Sequence, residues 1–502
     1  MLSHILTWVV FLPLLGIPVL FALPKDKAKW VTLAATIADF IIAIPIFIGF
    51  NKSIPGVSNP NQMQFVEKFD WIPSLGVQYY MGIDGLSVTM ILLTLLIGVL
   101  ATLASWNINK FERGYFSMFL LLQAAMLGVF VALDLILFFI FWEVMLFPMY
   151  FLIGVWGGPR RVYAAIKFFL YTLFGGVGML LSFIAMWYFT PGERTFDMIE
   201  MLARVSAGGV FEGPDILGMP FAKVIFVVLF VGFAIKVPIF PFHTWLPDAH
   251  VEAPTAISVI LAGVLLKMGT YGFLRINFPM FPEVFAWFRD FLIALAVINI
   301  VYGALCALAQ KDLKKMIAYS SISHMGFILL GIGAATTQGI NGAMLQMFNH
   351  GTITAMLFLL VGVIYDRAHH REINGFGGLA SVVPIFATLT SFAFMAGIGL
   401  PGLSGFVSEL LILAGSFKEY QVATILAGLG IILGAGYMLW SYQRVFFGPL
   451  NEKYKDLSDV NIIEVFSLAP LLVIIVYLGI FPNAVIQYFE VSLNHISRLL
   501  LP

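Results

Sequence analysis

Charged side chains are scarce in this sequence. Only 11% of its 502 residues are Asp, Glu, Lys or Arg, whereas a soluble globular protein carries roughly a quarter. The sequence is 61% apolar, and a core of that size would need a charged surface that is missing, so a soluble enzyme is excluded. The 27 basic residues balance 27 acidic ones, which leaves no basic face and predicts no nucleic-acid partner.

Cysteine is almost absent as well. The single one, Cys306, cannot form an internal disulfide or hold an iron–sulfur cluster. No dinucleotide-binding fingerprint follows a predicted strand. We therefore predict no redox centre, no catalytic residue and no cofactor site in this chain. Histidines and acids at metal-ligand spacing are also lacking, so the sequence predicts no metal site.

The sequence is instead rich in long apolar runs. Stretches of about 20 apolar residues predict transmembrane helices, and their number predicts an all-α membrane protein with about 14 transmembrane helices. Most loop lysines and arginines follow odd-numbered stretches, which predicts both termini on the outer, periplasmic side of the cell inner (plasma) membrane. In this assignment Arg275 belongs to an outer loop and Lys314 to an inner loop.

Two of the predicted spans contain proline flanked by glycine. They are the seventh, at Gly232 to Pro241, and the twelfth, at Gly397 to Gly405. Proline opens the helix ladder, which membrane proteins tolerate only against protein or a water-filled cavity. The two breaks lie five spans apart, which indicates a repeated unit of five helices. Because a unit with an odd number of spans inserts its second copy in the opposite orientation, we predict two inverted five-helix repeats.

A single membrane domain covering 1–502 is predicted, because no linker divides the chain. Its predicted parts are the N-terminal spans 1 to 3 in 1–114, the first repeat in 115–276, the second repeat in 285–446 and the fourteenth span in 462–488.

Four of the charged residues inside the apolar runs are candidates for a functional role. Glu143 lies near the middle of the fifth span, Lys236 at the break of the seventh, Lys267 in the eighth and Glu409 in the twelfth. A charge at the bilayer centre costs roughly 2.5 to 3.5 kcal/mol on insertion scales, so such residues usually face the interior of a bundle and mark ion paths. We interpret all four as functional rather than structural.

Two histidines, His324 and His350, lie in the tenth and eleventh spans beside hydroxyl and amide side chains. Each is equally consistent with a packing role and with proton transfer near neutral pH. Together with the four charges they predict a proton relay. A buried lysine needs its proton affinity lowered by about 4 kcal/mol to exchange protons near neutrality. Withdrawal of a carboxylate from about 4 Å supplies that amount at an effective dielectric constant of about 20.

Other charged residues have simpler interpretations. Lys167, close to the start of its span, is interpreted as an interface lysine. Asp84 and Asp134 stand at helix starts, where a carboxylate usually caps the helix. The role of Asp39, in the middle of a span, is left open.

Two long runs resemble a known family. They are KVPIFPFHTWLPDAHVEAPT from Lys236 to Thr255, and KDLKKMIAYSSISHMG from Lys311 to Gly326. Both are similar to signatures of the antiporter-like subunits of respiratory complex I. The text FWEVMLFPMY from Phe141, and the acid Glu409 where sister subunits usually have lysine, resemble the chain 4 branch, called M in bacteria.

The resemblance implies a fourteen-helix fold with inverted repeats at spans four to eight and nine to thirteen. It also implies roles for the six candidates: Glu143 and Lys236 as the controlling pair, Lys267, His324 and His350 as the central connection, and Glu409 at the outer half-channel. The implied function is that of a proton-translocating subunit of NADH:quinone oxidoreductase, a translocase.

The implied partners follow from the same resemblance. NADH, FMN, iron–sulfur clusters and quinone would be bound by other subunits. The chain would contact the lipid bilayer and other membrane-arm subunits, including sister antiporter-like subunits, and would not act as a homo-oligomer. Two alternatives stay open: a cation/proton antiporter subunit of a multisubunit exchanger, and a relative that takes electrons from ferredoxin instead of NADH.

Overall fold

The computed structural model describes residues 4–57 and 59–500. Within those ranges, twelve helices are long and apolar enough to cross a membrane. The predicted class, a mostly helical multi-pass membrane protein, is confirmed.

The N-terminal part contains three long helices and a hairpin. The helices are α1 (Ile5–Ala22), α2 (Ala28–Gly49) and α3 (Gly85–Ala104). Between α2 and α3, strands β1 (Gln64–Ile72) and β2 (Val77–Ile83) pair antiparallel. This hairpin was not predicted from the sequence and is the one β-sheet in the described part of an otherwise mostly helical chain. The hairpin forms because Gly76 adopts the left-handed conformation that the turn requires.

The middle of the chain forms the region of the predicted first repeat. Its helices are α4 (Glu112–Val131), α5 (Leu135–Val144), α6 (Leu146–Trp156), α7 (Arg161–Tyr188), α8 (Met198–Ser206), α9 (Phe221–Lys236), α10 (Trp245–Glu252), α11 (Thr255–Ile260), α12 (Leu266–Gly272) and α13 (Phe278–Met280). Helices α11 to α13 join through two π-helical segments, Leu261–Leu265 and Phe273–Asn277, into one span. Helices α5 and α6 meet at Met145, because Pro148 cannot donate to the carbonyl of Val144.

The region of the predicted second repeat and the C-terminal part follow. The helices are α14 (Pro282–Leu308), α15 (Leu313–Ala334), α16 (Thr337–Ala368), α17 (Pro384–Gly397), α18 (Ser404–Phe417), α19 (Gln421–Phe446), α20 (Ile462–Ile480) and α21 (Asn483–Leu500). The predicted fourteenth span extends to residue 488, but α20 ends at Ile480. The reason is Pro482, which disfavours a helical conformation at Phe481 before it.

The two helix breaks lie where proline and glycine predict them. The chain leaves the helix between α9 and α10, around Pro238 and Pro241, and between α17 and α18, around Pro401. The broken pairs are not among the twelve candidate spans. The total of about 14 and the inverted relation of the two repeats therefore stay predictions.

The most enclosed helices carry three of the six candidate residues, Lys267, His324 and His350. Helix α16 and the span Thr255–Met280 are buried along their whole apolar windows, and α15 almost entirely. By contrast, α1, α2, α7, α19 and α20 expose apolar side chains outward. In a chain that crosses a bilayer, polar side chains on the enclosed helices are shielded from lipid.

Candidate functional site

Lys267 and His350 are in direct contact at the centre of the molecule. Lys267 projects from α12 and His350 from α16, and both side chains are buried. Lys267 Nζ lies 2.7 Å from His350 Nδ1. The lysine also donates to the carbonyl of Ala262, in the π-helical turn that precedes it. This contact joins two of the residues predicted from the sequence.

His324 and Glu409 continue the row from His350. The ring centres of His324 and His350 are 5.4 Å apart, and His324 Nε2 lies 3.7 Å from Glu409 Oε1. His324 Nε2 is also 3.1 Å from the carbonyl of Gly397, the last residue of α17. The second helix break thus contributes a backbone acceptor to the row. Four of the six predicted residues form one connected series of side chains.

The carboxyl group of Glu409 sits against the second helix break. Gln346 Nε2 on α16 lies 3.5 Å from Glu409 Oε1. On the other side, Gly399 has φ 72° and approaches so closely that a Cβ there would lie 2.8 Å from Glu409 Oε2. The unwound backbone therefore makes room for the carboxyl group, as glycine allows.

Glu143 and Lys236 form a second, separate group. They interact electrostatically without an ion pair, and Glu143 Oε1 and Lys236 Nζ make no hydrogen bond within residues 4–57 and 59–500. Lys236 Nζ is 5.2 Å from the ring centre of Trp142 and 5.6 Å from that of Phe168. Aromatic faces thus provide part of the environment of the ammonium group.

Two buried basic residues near this row were not among the candidates. His250 on α10 stacks on Phe358, with ring centres 4.5 Å apart, and interacts electrostatically with Lys267 and Lys314. Neither of its ring nitrogens has a hydrogen-bond partner in the described part of the chain. Lys314 is 3% exposed, and its Nζ donates to the carbonyl of Ala253 at 2.6 Å.

The assignment of Lys314 to a loop was wrong. Asp312 caps α15 by accepting from the amide of Lys315, so Lys314 already lies in the first turn of the helix. The run KDLKK contains this signal, an aspartate immediately before a helical segment.

A cavity opens near Lys314 on the predicted inner side. It lies between the loops around residues 104–108, 156–159 and 251–256 and the ends of α16 and α20. The charged side chains that line it are Glu252, Lys314, Asp366, Arg371 and Glu464. We call this cavity the inner vestibule. Lys314 connects its wall to the neighbourhood of His250.

The remaining sequence-predicted residues have defined partners. Asp134 is confirmed as a helix cap, since Oδ1 accepts from the amides of Ile136 and Leu137. Lys167 is partly exposed, as an interface lysine would be, but it also pairs with Asp248 at 2.7 Å. Asp39 is fully buried and accepts from Gln123 Nε2 at 2.7 Å.

Asp84 and Arg275 form an ion pair that the sequence did not suggest. Asp84 is the predicted cap of α3, but it also binds the guanidinium group of Arg275. Arg275 is 2% exposed, so its assignment to an outer loop was wrong. It lies in the second π-helical segment, close to the end of a span. Near the end of a span, the apolar pattern of the sequence does not show which residues are inside the membrane and which belong to the loop.

The enclosed row of acids, lysines and histidines defines a class of protein. Polar groups of this kind on shielded transmembrane helices, next to broken helices, are typical of membrane subunits that move protons or ions. Within the described ranges, no group of three or more His, Cys, Asp or Glu side chains could hold a metal ion.

Comparison with known proteins identifies the family. The family model described as NADH:quinone oxidoreductase/Mrp antiporter, TM, matches residues 132–434, and that described as NADH-ubiquinone oxidoreductase chain 4, amino terminus, matches residues 1–133. The chain belongs to the family of NADH-quinone oxidoreductase subunit M, or chain 4. The predicted resemblance is confirmed.

Relatives match over nearly the full length. NADH-quinone oxidoreductase subunit M of Rhodobacter capsulatus is 44% identical over 99% of this chain and 97% of its own. A chain in the structure of respiratory complex I from Thermus thermophilus with bound NADH is 30% identical, covers 100% of both chains and superposes with a TM-score of 0.87. The Mrp complex from Dietzia contains a chain that is 25% identical, with a TM-score of 0.81 over 98% of this chain and 52% of its own.

Proposed function

We propose that this chain moves protons across the membrane as subunit M of an NADH:quinone oxidoreductase. Electron transfer from NADH to quinone in partner subunits would drive the movement. The observation that supports this most directly is the buried row Lys267, His350, His324 and Glu409, which ends at the helix break between α17 and α18. Such a row of titratable groups is the arrangement that proton relay requires.

Each step of the row has a donor and an acceptor. Lys267 Nζ can pass a proton to His350 Nδ1 directly at 2.7 Å. Between His350 and His324, ring centres 5.4 Å apart leave a gap that a ring rotation or one water molecule spans. His324 then exchanges with Glu409 at 3.7 Å. Histidine suits the middle positions because its two nitrogens can accept and release protons in turn.

Glu143 and Lys236 act as the control on this row. Because Lys236 Nζ and Glu143 Oε1 are buried and have no hydrogen-bond partner among the described residues, a small movement changes their interaction strongly. At about 4 Å and an effective dielectric constant of about 20, an opposite charge contributes about 4 kcal/mol. Approach of Glu143 therefore holds the proton on Lys236, and its withdrawal releases that proton toward Lys267.

Protons enter from the inner vestibule. Lys314 stands at its wall. His250 interacts electrostatically with both Lys314 and Lys267, and neither of its ring nitrogens has a hydrogen-bond partner among the described residues. Such a histidine can bind a proton on one nitrogen and release it from the other.

The surroundings of the subunit follow from the same proposal. NADH, FMN, iron–sulfur clusters and quinone are bound by partner subunits. The exposed apolar faces of α1, α2, α7, α19 and α20 contact lipid and other membrane-arm subunits, including sister antiporter-like subunits. The subunit lies in the cell inner membrane with both termini outside, and does not work as a homo-oligomer.

The test uses the whole complex, purified and reconstituted into vesicles. Glu143→Gln and Lys236→Ala each remove one member of the controlling pair. We expect NADH oxidation with a quinone acceptor to continue, while the protons pumped per NADH fall, measured with a pH-sensitive dye. The matched controls are Glu283→Gln and Lys418→Ala, which change exposed side chains and leave the ratio unchanged. Undiminished pumping in both test variants overturns the proposal.

A second candidate function is that of a cation/proton antiporter subunit within a multisubunit exchanger. It is favoured by the family model shared with Mrp antiporters and by the similarity to a chain of the Mrp complex. Purification from native membranes distinguishes the two. Flavin and iron–sulfur subunits accompany this chain under the first proposal, whereas small exchanger subunits and sodium-driven proton movement accompany it under the second.

A further inference from the structure

A fully buried ion pair closes one end of the span that carries Lys267. Arg275 Nη1 donates to Asp84 Oδ2 at 2.8 Å, and Nη2 donates to Asp84 Oδ1 at 2.5 Å. The side chains are 1% and 0% exposed. Asp84 precedes α3 and Arg275 lies near the end of the span, both on the predicted outer side. This pair has no part in the relay described above.

Lys267 and Arg275 lie on the same face of their span. Tyr271 stands between them, four residues from each, which is the spacing of neighbours on one helix face. Contacts join the outer part of this face: Arg275 Nε donates to the hydroxyl of Tyr271 at 3.2 Å, and Arg275 Nη2 donates to Ser87 Oγ at 3.2 Å. The hydroxyl groups of Ser87 and Tyr271 are 3.1 Å apart. A polar track therefore leads from Tyr271, one helical turn from Lys267, toward the outer end.

That track ends in groups that cannot pass a proton on. The guanidinium group of Arg275 stays charged under all physiological conditions. Asp84 Oδ1 also accepts from the amides of Leu86 and Ser87, so both carboxylate oxygens are engaged. The hydroxyl of Tyr271 donates to the carbonyl of Phe130 at 3.1 Å. Because the guanidinium group always carries its full set of protons and the carboxylate is held by four donors, neither group takes up a proton from the track.

We propose that the Asp84–Arg275 pair is an electrostatic plug that prevents protons on Lys267 from escaping directly to the outer side. With this exit closed, a proton on Lys267 passes to His350, 2.7 Å away. The inference rests on the proposed function, in that Lys267 is taken to exchange protons during turnover.

An anchoring role alone does not account for the charges. Burying two ions has a desolvation cost that their attraction does not always offset, and well-packed apolar residues often hold helices together equally well. The pair also keeps its charge beside a track of hydroxyl groups that leads to the relay. A barrier to protons needs that charge, whereas a helix contact does not.

The test compares three variants of the whole complex in proteoliposomes. The double variant Asp84→Asn/Arg275→Gln keeps hydrogen-bonding groups of similar size and leaves no bare charge, as a single substitution would. The matched control is Lys68→Gln/Asp197→Asn, which neutralises another pair, 2.7 Å apart, whose aspartate also caps a helix. The third variant adds Lys267→Met to the first. Passive proton influx after an acid pulse is recorded with an internal pH dye, without NADH or quinone.

We expect a several-fold faster influx in Asp84→Asn/Arg275→Gln, a rate like that of the parent complex in the control, and a return to the parent rate when Lys267→Met is added. An unchanged influx in the double variant overturns the proposal, and so does a fast influx that persists without Lys267. Should the double variant fail to assemble, Arg275→Gln alone tests the same point, because it removes the permanently protonated group. A faster influx that Lys267→Met abolishes supports the plug, and an influx at the parent rate overturns it.

The passive measurement separates this inference from the proposed function. If Glu143→Gln and Lys236→Ala pump normally while the double variant leaks, the relay proposal fails and the plug stands. If those two variants lose pumping while the double variant stays tight, the plug alone fails.

Discussion

Glu143 owes its position to the absence of a side chain on the facing helix. Gly176 on α7 lies so close that a Cβ there would overlap Glu143 Oε1. The carboxyl group therefore rests against backbone, without a hydrogen bond from any described residue to that oxygen. Without that hydrogen bond the carboxyl group can move with little resistance, which suits its proposed approach to Lys236 and withdrawal from it.

Gly176→Ala is expected to displace the Glu143 carboxyl group and to lower the protons pumped per NADH, with NADH oxidation retained. The measurement is the dye assay on the reconstituted complex. Gly436→Ala, in α19, is the matched control, because a Cβ there meets nothing within 4 Å. Alanine in a helix interior is favourable by up to about 1 kcal/mol relative to glycine, so the control keeps its stability. Equal pumping in both variants would contradict the role given to this contact.

Single residues could be predicted from the sequence when they stand alone in an apolar run. Glu143, Lys236, Lys267 and Glu409 were found in this way, because insertion into lipid is costly wherever they point. Arg275 was missed because it lies near a span end and its burial depends on Asp84, 191 residues away in the chain. A pattern of neighbouring residues cannot show a contact between residues so far apart in the chain. Only the packed structure shows that Arg275 is buried.

At the level of helices, the break between α17 and α18 is shaped by two glycines. Gly399 and Gly402 both have positive φ, 72° and 90°, and Pro401 between them cannot donate a backbone hydrogen bond. The two differ in their surroundings: a Cβ on Gly399 would press on Glu409, whereas nothing lies within 4 Å of one on Gly402.

This difference gives a paired prediction. Gly399→Ala and Gly402→Ala both place a side chain in the left-handed region, which costs roughly 1 to 2 kcal/mol, so both lower the thermal unfolding midpoint by a similar amount. Only Gly399→Ala also moves the carboxyl group of Glu409 away from His324. We expect proton pumping to fall in Gly399→Ala and to persist in Gly402→Ala. Equal pumping in the two variants would show that proton pumping depends on the backbone conformation of the break and not on the contact between Gly399 and the carboxyl group of Glu409.

Helix breaks were predictable because proline and glycine act locally. The π-helical segments around Lys267 were not, since their residues, such as Leu261 and Phe273, are ordinary helix formers. What produces them is close packing, in which Gly269 and Gly272 meet α9 at distances that exclude a side chain. The hairpin before α3 could not be predicted from apolar runs, because five of the nine residues of β1 are exposed and β2 has only seven residues.

Across the whole molecule, α21 fastens parts of the chain that are far apart in sequence. Ser492 Oγ accepts from the amide of Gly85 at 3.1 Å, and Ser497 Oγ donates to the carbonyl of Ala335 at 2.7 Å. Asn341 Nδ2 donates to Asn494 Oδ1 at 2.8 Å. The helix thus joins the start of α3 to the start of α16.

Removing two of these bonds is expected to loosen α21. Ser492→Ala/Ser497→Ala leaves the amide of Gly85 and the carbonyl of Ala335 without these partners, which costs about 2 kcal/mol in all. Chymotrypsin should then cut faster at Tyr488 and Phe489 in the purified complex, followed by gel electrophoresis. Ser206→Ala is the control, because that hydroxyl bonds only within its own helix. Cleavage at the rate of the control would contradict the fastening role.

The position of α21 in the chain has a consequence for how the protein is made. Gly85, Ala335 and Asn341 are synthesised and inserted well before the helix that binds them. During translation their polar groups face one end of a bundle that is not yet closed, and water must satisfy them until α21 arrives. Closure of this end is therefore a late step of biogenesis, when an assembly factor could still reach the open bundle.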